Sequence, residues 1–305
     1  LPDHHYSFWI TDHDSPFDAH NIAVREFLHS EKSEFQAIDI VMTGGFGKAL
    51  LLDGRLQSAE RDEYIYHESL VHPAMVAGRD SPVSVLVIGG GEGATLREVL
   101  RYPSVKRAVM VDIDSRVVEC CREYLQEFHR GAFDDPRVEV IIGDGRELVS
   151  TTDERFDVVI IDISEPNEGG PAYLLYTEEF YHLVKNILNE GGRMVTQAGI
   201  SSIVAGDLFS MISRTIARAF GTSHPYCSFV PSFACSWGFA LAGIEMDMVR
   251  GEIVDEKLHQ WGVGDLLYYD GITHFSLFSL PRDLRALISR EERSFTDASP
   301  PQLTI

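Results

Sequence analysis

Between residues 84 and 220, short apolar runs alternate with amphipathic stretches, and this alternation constrains the fold most. Val85-Leu86-Val87-Ile88, Ala108-Val109-Met110-Val111, Val138-Glu139-Val140-Ile141-Ile142, Val158-Val159-Ile160-Ile161 and Met194-Val195-Thr196 are too short and too rich in β-branched residues to be buried helices. Between them, residues 95–100 read as helix. Val117, Cys120, Cys121, Tyr124, Leu125 and Phe128 recur at helical spacing, with Asp114 or Ser115 as N-cap. Thr177 is placed to cap a third helix, with Glu178 and Glu179 in its first turn, and Gly191-Gly192 is expected to end it. Leu208, Met211, Ile212, Thr215, Ile216 and Ala219 mark a fourth. Strands alternating with helices imply an α/β fold with a doubly wound, mostly parallel sheet. Residues 34–60 differ: Phe35 to Ile40 alternates, Gly44-Gly45 turns, and Lys48-Ala49-Leu50-Leu51-Leu52 runs into an Asp53-Gly54 turn signal. We therefore expect a small antiparallel β-domain over 1–62 and the larger α/β domain over 63–305.

The 47 acidic residues outnumber 26 Lys and Arg, for a net charge of −21. Such a surface repels nucleic acid and anionic membranes and attracts cations. No apolar run reaches the ~20 residues of a membrane span, and the first fifteen residues lack a basic and an apolar region, so no signal peptide is expected. Four cysteines without metal-binding spacing suggest reduced thiols, a cytoplasmic setting and no metal site.

In a doubly wound sheet, ligands sit where loops leave the carboxyl ends of the strands. Three such loops carry suggestive residues. Gly89-Gly90-Gly91-Glu92-Gly93 lets the backbone approach a ligand closely. Asp112, at the end of the next strand, is placed to hold ribose hydroxyls, and Asp144-Gly145 follows the strand after that. Each Asp alone could be a helix cap; together they point to a nucleoside site. Glu92 sits inside the glycine loop and no Lys-Ser/Thr follows, so the loop is a poor phosphate cradle and suits a cationic nucleoside better.

The segment from Leu52-Asp53-Gly54-Arg55-Leu56-Gln57 through Glu60-Arg61-Asp62-Glu63-Tyr64-Ile65-Tyr66-His67-Glu68 resembles the signature of the spermidine/spermine synthase (polyamine aminopropyltransferase) family. So do Val87-Ile88-Gly89-Gly90-Gly91-Glu92-Gly93, Asp162-Ile163-Ser164-Glu165-Pro166 with Gly170-Pro171-Ala172 and Leu175-Tyr176, Leu267-Tyr268-Tyr269, and His274 to Leu280-Pro281. The resemblance implies a methyltransferase-like domain with an N-terminal β-domain, and aminopropyl transfer from decarboxylated S-adenosylmethionine to a polyamine. It implies no cofactor beyond that co-substrate, and assembly as a homodimer or homotetramer through the N-terminal strands. Carried over by position, Gln57, Gly89, Gly91, Glu92, Asp112, Ile113, Asp144, Gly145 and Asp162 would hold the donor, with Glu92 and Asp162 on its amine. Tyr66, His67, Glu165, Phe233 and Trp237 would line the acceptor channel. Asp162, with Tyr66, would be catalytic.

Two departures from spermidine synthases stand out: Glu165 where Asp is usual, and Phe233 where a Tyr is usual. Phe233, with residues 168–171 and 230–238, which look more like thermospermine synthases, favours a triamine such as spermidine as acceptor over putrescine or agmatine. The runs Glu60-Arg61-Asp62-Glu63 and Ser164-Glu165-Pro166-Asn167-Glu168 would add acids for a polycation, though a solvated charged loop is the usual meaning of such runs. Tyr176 could relay protons or only pack. An alkylamine with pKa about 10.4 gives up its proton at about 4.6 kcal/mol at neutral pH, which a carboxylate at the end of a buried strand offsets. An S-adenosylmethionine-dependent methyltransferase and a non-catalytic polyamine-binding protein are the competing readings. Donor choice separates the first and turnover the second.

Overall fold

The computed structural model describes residues 8–13, 18–166, 172–244 and 250–301. Its first part is an antiparallel sheet of five strands in sequence order: β1 (Phe8–His13), β2 (Ala19–Lys32), β3 (Ala37–Thr43), β4 (Lys48–Leu52) and β5 (Arg55–Ala59). Asp53 and Gly54 link β4 to β5 with φ of +50° and +77°, the turn geometry that matches strand twist and that an Asp-Gly pair adopts at little cost. The sequence signals cover only the last three strands. In the 14-residue β2 the register to β3 shifts between Val24 and Glu26 and again between Phe27 and His29, and each bulge breaks the period-two pattern.

The larger part starts with α1 (Glu63–Ala77) and continues through β6 (Ser84–Gly89), α2 (Ala94–Leu100), β7 (Arg107–Asp112), α3 (Ser115–Tyr124), α4 (Gln126–His129), β8 (Val138–Ile142), α5 (Gly145–Thr151), β9 (Phe156–Asp162), α6 (Glu178–Asn186), β10 (Leu188–Ile200), α7 (Asp207–Phe220), β11 (His224–Val230) and β12 (Cys235–Ala242). The helices α8 (Gly251–Gln260), α9 (Gly271–Phe278) and α10 (Arg282–Arg290) follow. Among the described residues seven strands form one sheet in the order β11-β12-β10-β9-β6-β7-β8. Neighbouring strands are parallel except around β12, which runs antiparallel to both β10 and β11. This is the expected methyltransferase-like, mostly parallel sheet. The order reverses beside β6, whose partners are β7 and β9, and that reversal opens the crevice ligands use.

Asp114 caps α3 by accepting from Arg116 N, and Thr177 caps α6 by accepting from Phe180 N. Gly191-Gly192 does not end α6. The helix stops at Asn186, and both glycines lie inside β10, in the irregularity between Leu188, paired with Phe156, and Arg193, paired with Val158.

Helix α1 was not predicted, because it is buried on nearly every side and shows no amphipathic stripe. Pro73 lies inside it. Proline lacks the N–H that would bond the Ser69 carbonyl, and the Tyr226 hydroxyl donates to that carbonyl instead at 2.8 Å. Arg193 donates to the carbonyls of Ala74 and Met75, and Lys257 to those of Val76 and Gly78, so cations satisfy the C-terminal carbonyls. The buried Glu68 carboxylate accepts the backbone N–H groups of Leu267, Tyr268 and Tyr269, each at 2.8 Å. The Leu267-Tyr268-Tyr269 segment is thus pinned to α1, which fixes the two residues that α1 sends into the site, Tyr66 and His67.

Candidate active site

A cavity of about 390 Å³ lies over the carboxyl ends of β6, β7, β8 and β9, between them and the N-terminal sheet. All the residues that the resemblance assigns to donor, acceptor or catalysis line it: Gln57, Tyr66, His67, Gly89, Gly91, Glu92, Asp112, Ile113, Asp144, Gly145, Asp162, Glu165, Phe233 and Trp237.

At one end, the loop after β6 folds against β9. Gly89 pairs in register with Asp162, and Gly90 N donates to the Asp162 carbonyl at 2.8 Å. Gly89 has φ +81°, and a Cβ there would sit 2.1 Å from that carbonyl oxygen; a Cβ on Gly91 would sit 2.7 Å from Asp112 Oδ2. Glycine is needed at both because strand end and carboxylate crowd the loop. Asp112 Oδ1 accepts from Asp114 N at 2.9 Å, and burial pushes the Asp112 carboxyl up to about 6. Asp144 caps α5, its Oδ1 accepting from Arg146 N at 2.7 Å. It is therefore both a cap and a cavity residue. Gln57 lines the facing wall from β5, its Nε2 donating to the Arg55 carbonyl at 3.2 Å.

At the centre, Asp162 Oδ1 accepts from the Tyr66 hydroxyl at 2.8 Å and Oδ2 accepts from Thr95 Oγ1 at 2.5 Å. Burial, then the Asp162 charge, lifts the Tyr66 phenol well above its usual range, so Tyr66 stays a donor. Beside them runs a buried ionic chain. Arg97 bonds both oxygens of Glu63 at 2.8 Å, and Glu63 Oε2 lies 2.9 Å from His67 Nδ1. His67 Nε2 lies 2.5 Å from Glu92 Oε1. Burial opposes charge on His67, but Glu92 and Glu63 outweigh it and raise its pKa well above the usual value. Glu92 Oε2 is buried with no hydrogen-bond partner among the described residues, which leaves one acceptor inside the cavity.

At the other end, Phe233 meets Trp237 edge-on with ring centroids 4.9 Å apart, and Arg55 Nη2 lies 2.9 Å from Glu165 Oε2. Sequence reasoning missed several residues here. Gln197 bonds the Ile163 carbonyl and the Tyr176 hydroxyl through Nε2, and accepts from Trp237 Nε1 and Gly199 N through Oε1. Thr95 holds Asp162, and Asp12 and His20 enter from β1 and β2. Tyr176 is fully buried and donates to the Ser164 carbonyl, so it anchors the Asp162 loop rather than lining the cavity. The acids of the run 60–63 do not line the cavity. Glu60 accepts from Lys48 N, Asp62 from Ser232 N, and Glu63 holds Arg97. The segment 168–171, read from sequence as triamine-favouring, lies outside the described residues.

Residues 63–249 match the spermine/spermidine synthase domain, and residues 8–60 match the spermidine synthase tetramerisation domain. The chain belongs to the spermine/spermidine synthase family. A polyamine aminopropyltransferase of Aeropyrum pernix is 44% identical over 293 residues, covering 94% of this chain and 93% of that one. Another, from Saccharolobus solfataricus, is 39% identical over 292 residues, covering 96% and 97%. Crystal structures of a spermidine synthase in complex with the transition-state analogue AdoDATO and of Thermotoga maritima spermidine synthase superpose with TM-scores of 0.87 and 0.85. Both are 31% identical and cover 94% and 95% of this chain and 97% of theirs. Among the described residues, no helix is long and apolar enough to cross a membrane.

Proposed function

We infer that this family member transfers the aminopropyl group of decarboxylated S-adenosylmethionine to a polyamine, releasing methylthioadenosine. The observation that carries the reading is the placement of Asp162, oriented by Tyr66 and Thr95, beside a nucleoside loop whose Glu92 keeps a buried oxygen unpartnered. Asp112 and Gln57 bind the nucleoside, with Asp144, Gly145, Gly89, Gly91 and Ile113 shaping its pocket. Glu92 and Asp162 take the ammonium of the aminopropyl tail. A phosphate-bearing nucleotide would meet the Glu92 charge, so the loop selects a cation.

The acceptor amine, once deprotonated, uses its lone pair to form the new N–C bond. The S–C bond breaks, its electron pair returns to sulfur, and a neutral thioether leaves. Asp162 takes the proton that the amine gives up and faces the new ammonium. Holding two substrates in one closed cavity supplies much of the remaining acceleration. No metal or redox group has a step to perform, because the sulfonium is already activated for departure.

We propose a triamine such as spermidine as acceptor. Phe233 and Trp237 give the far end an apolar wall for methylenes, and the next carboxylates, Glu165 and Asp12, lie at the Arg55 end of the cavity. A short diamine would leave its distal ammonium against Phe233, which has no hydroxyl to meet it. Product analysis with decarboxylated S-adenosylmethionine and putrescine, agmatine or spermidine tests both levels. Preference for putrescine overturns the triamine alone; methyl transfer from S-adenosylmethionine overturns the reaction. Assembly through the N-terminal strands fits the exposed Phe8, Trp9 and Phe27 of β1 and β2, and we place the enzyme in the cytoplasm, where the thiols of Cys120, Cys121 and Cys227 stay reduced.

A further inference from the structure

The far end of the cavity contains its own cation. Arg55, at the start of β5, stands between Asp12 of β1 and Glu165 of the loop after β9. Its Nη2 lies 2.9 Å from Glu165 Oε2 and donates to the His13 carbonyl at 3.1 Å. Its Nε is 3.7 Å from Asp12 Oδ1, beyond hydrogen-bond length. Asp12 is held through its other oxygen, which accepts from Leu56 N at 3.1 Å. Arg55 Nη1 and Asp12 Oδ1 are both buried, and neither has a hydrogen-bond partner among the described residues. A structural ion pair of this burial ordinarily satisfies its polar atoms. This one leaves a donor and an acceptor open in the wall of a cavity that takes a cation.

Two carboxylates, Asp12 and Glu165, flank one guanidinium here, and the acceptor left open is Asp12 Oδ1. We propose that Arg55 determines acceptor selectivity by standing in for one substrate ammonium, so that this end of the cavity accepts one further cationic centre and disfavours two. A triamine whose near amine reacts at Asp162 keeps two ammoniums, the inner one beside the Phe233 and Trp237 rings and the distal one at this end. A tetraamine brings a second against the guanidinium, and like charges in a partly buried site discriminate strongly. The inference rests on the polyamine reading above and deepens it. The near-neutral alternative, in which Arg55 only ties β5 to the loop after β9, predicts no dependence on acceptor charge.

The experiment compares Arg55→Met, which removes the charge and keeps most of the methylene bulk, with Arg55→Lys and Glu165→Gln. For each, kcat/KM is measured with putrescine, spermidine and spermine, alongside methylthioadenosine affinity and Tm. Arg55→Met should raise the spermine-to-spermidine ratio about tenfold or more. Arg55→Lys should stay near wild type, and Glu165→Gln should move the ratio the other way. Methylthioadenosine affinity should hold within about twofold in all three. Equal effects on every acceptor, or shifts in one direction for both charge changes, overturn the proposal. The same ratios are read by calorimetric binding of the three polyamines to methylthioadenosine-loaded protein. A wild type that binds them without turnover would sink the reaction and still decide the role of Arg55. If Arg55→Met is too unstable to assay, Arg55→Lys against Glu165→Gln carries the comparison.

Discussion

At the residue scale, the site is an arrangement of carboxylates with different partners. Asp162 has hydroxyl donors on both oxygens, which aim it without neutralising it. Asp162→Asn should keep those contacts in shape but cannot take a proton. Single-turnover rates at saturating donor should fall at least about 100-fold with methylthioadenosine affinity within a few-fold, and a variant within a few-fold of wild type would remove Asp162 from its role. Glu63 acts through His67. With Glu63→Gln the imidazole loses the carboxylate that orients it through Nδ1, so it no longer holds Glu92 Oε1 in place on its other side. The donor KM should rise about tenfold, while methylthioadenosine, which lacks the tail amine, binds as before. A parallel loss for both ligands would mean the chain is only structural. Asp112, Asp144 and Asp162 were legible in sequence because each follows a short apolar strand, and strand ends in such sheets converge. Gln197 was not: it sits within a strand, and only the sheet order brings it to Trp237 and Ile163. Thr95, Asp12 and His20 were hidden in the same way, and the acids at 60–63 misled because their partners come from elsewhere in the chain.

At the element scale, the strands of the parallel sheet were legible because burial on both faces leaves unbroken apolar runs. β1 and β2 were not, because bulges and exposure erase the alternation. Helix α1 was hidden by burial on nearly every face, and its stability depends on groups far away in sequence. The clearest test is the carbonyl that Pro73 leaves open at Ser69. Tyr226→Phe removes the hydroxyl that bonds it and adds no bulk, and both groups are buried. An unsatisfied buried carbonyl costs about 1–3 kcal/mol, so Tm should fall by several degrees. Because α1 carries Tyr66 and His67, turnover should also become more temperature-sensitive. An unchanged Tm would mean that another group satisfies Ser69.

At the scale of the whole molecule, the acid excess makes stability depend on pH in two opposed ways. Asp112 has a folded pKa of about 6 against an ordinary 3.8, because burial disfavours its charge. Between those values the folded protein binds more protons than the unfolded chain, so stability falls as pH rises through that window. The net charge of −21 acts in the same direction, since protonation relieves self-repulsion. Glu98, buried against His72, Arg97 and Arg101, has its carboxyl held at about 2 despite the burial that opposes charge. Glu31 with Arg116 and Glu291 with Arg293 are also lowered to about 2. Their contributions are complete above the ordinary carboxylate range and are lost as pH falls toward 2. The ligand-free protein should therefore gain Tm as pH drops from about 7.5 to about 5, and lose it below about 4. High salt should remove the part due to general repulsion. Asp112→Asn should remove the part specific to the site. Saturating methylthioadenosine should do the same, because ribose hydroxyls donating to Asp112 favour its charged form and return its pKa toward the ordinary value. Calorimetry at two ionic strengths, with and without methylthioadenosine, separates the terms. A ligand-free Tm that falls steadily from about pH 7.5 to about 5 would show that Asp112 and the charge excess do not govern that window. A slope that persists under saturating methylthioadenosine would take Asp112 out of the nucleoside site.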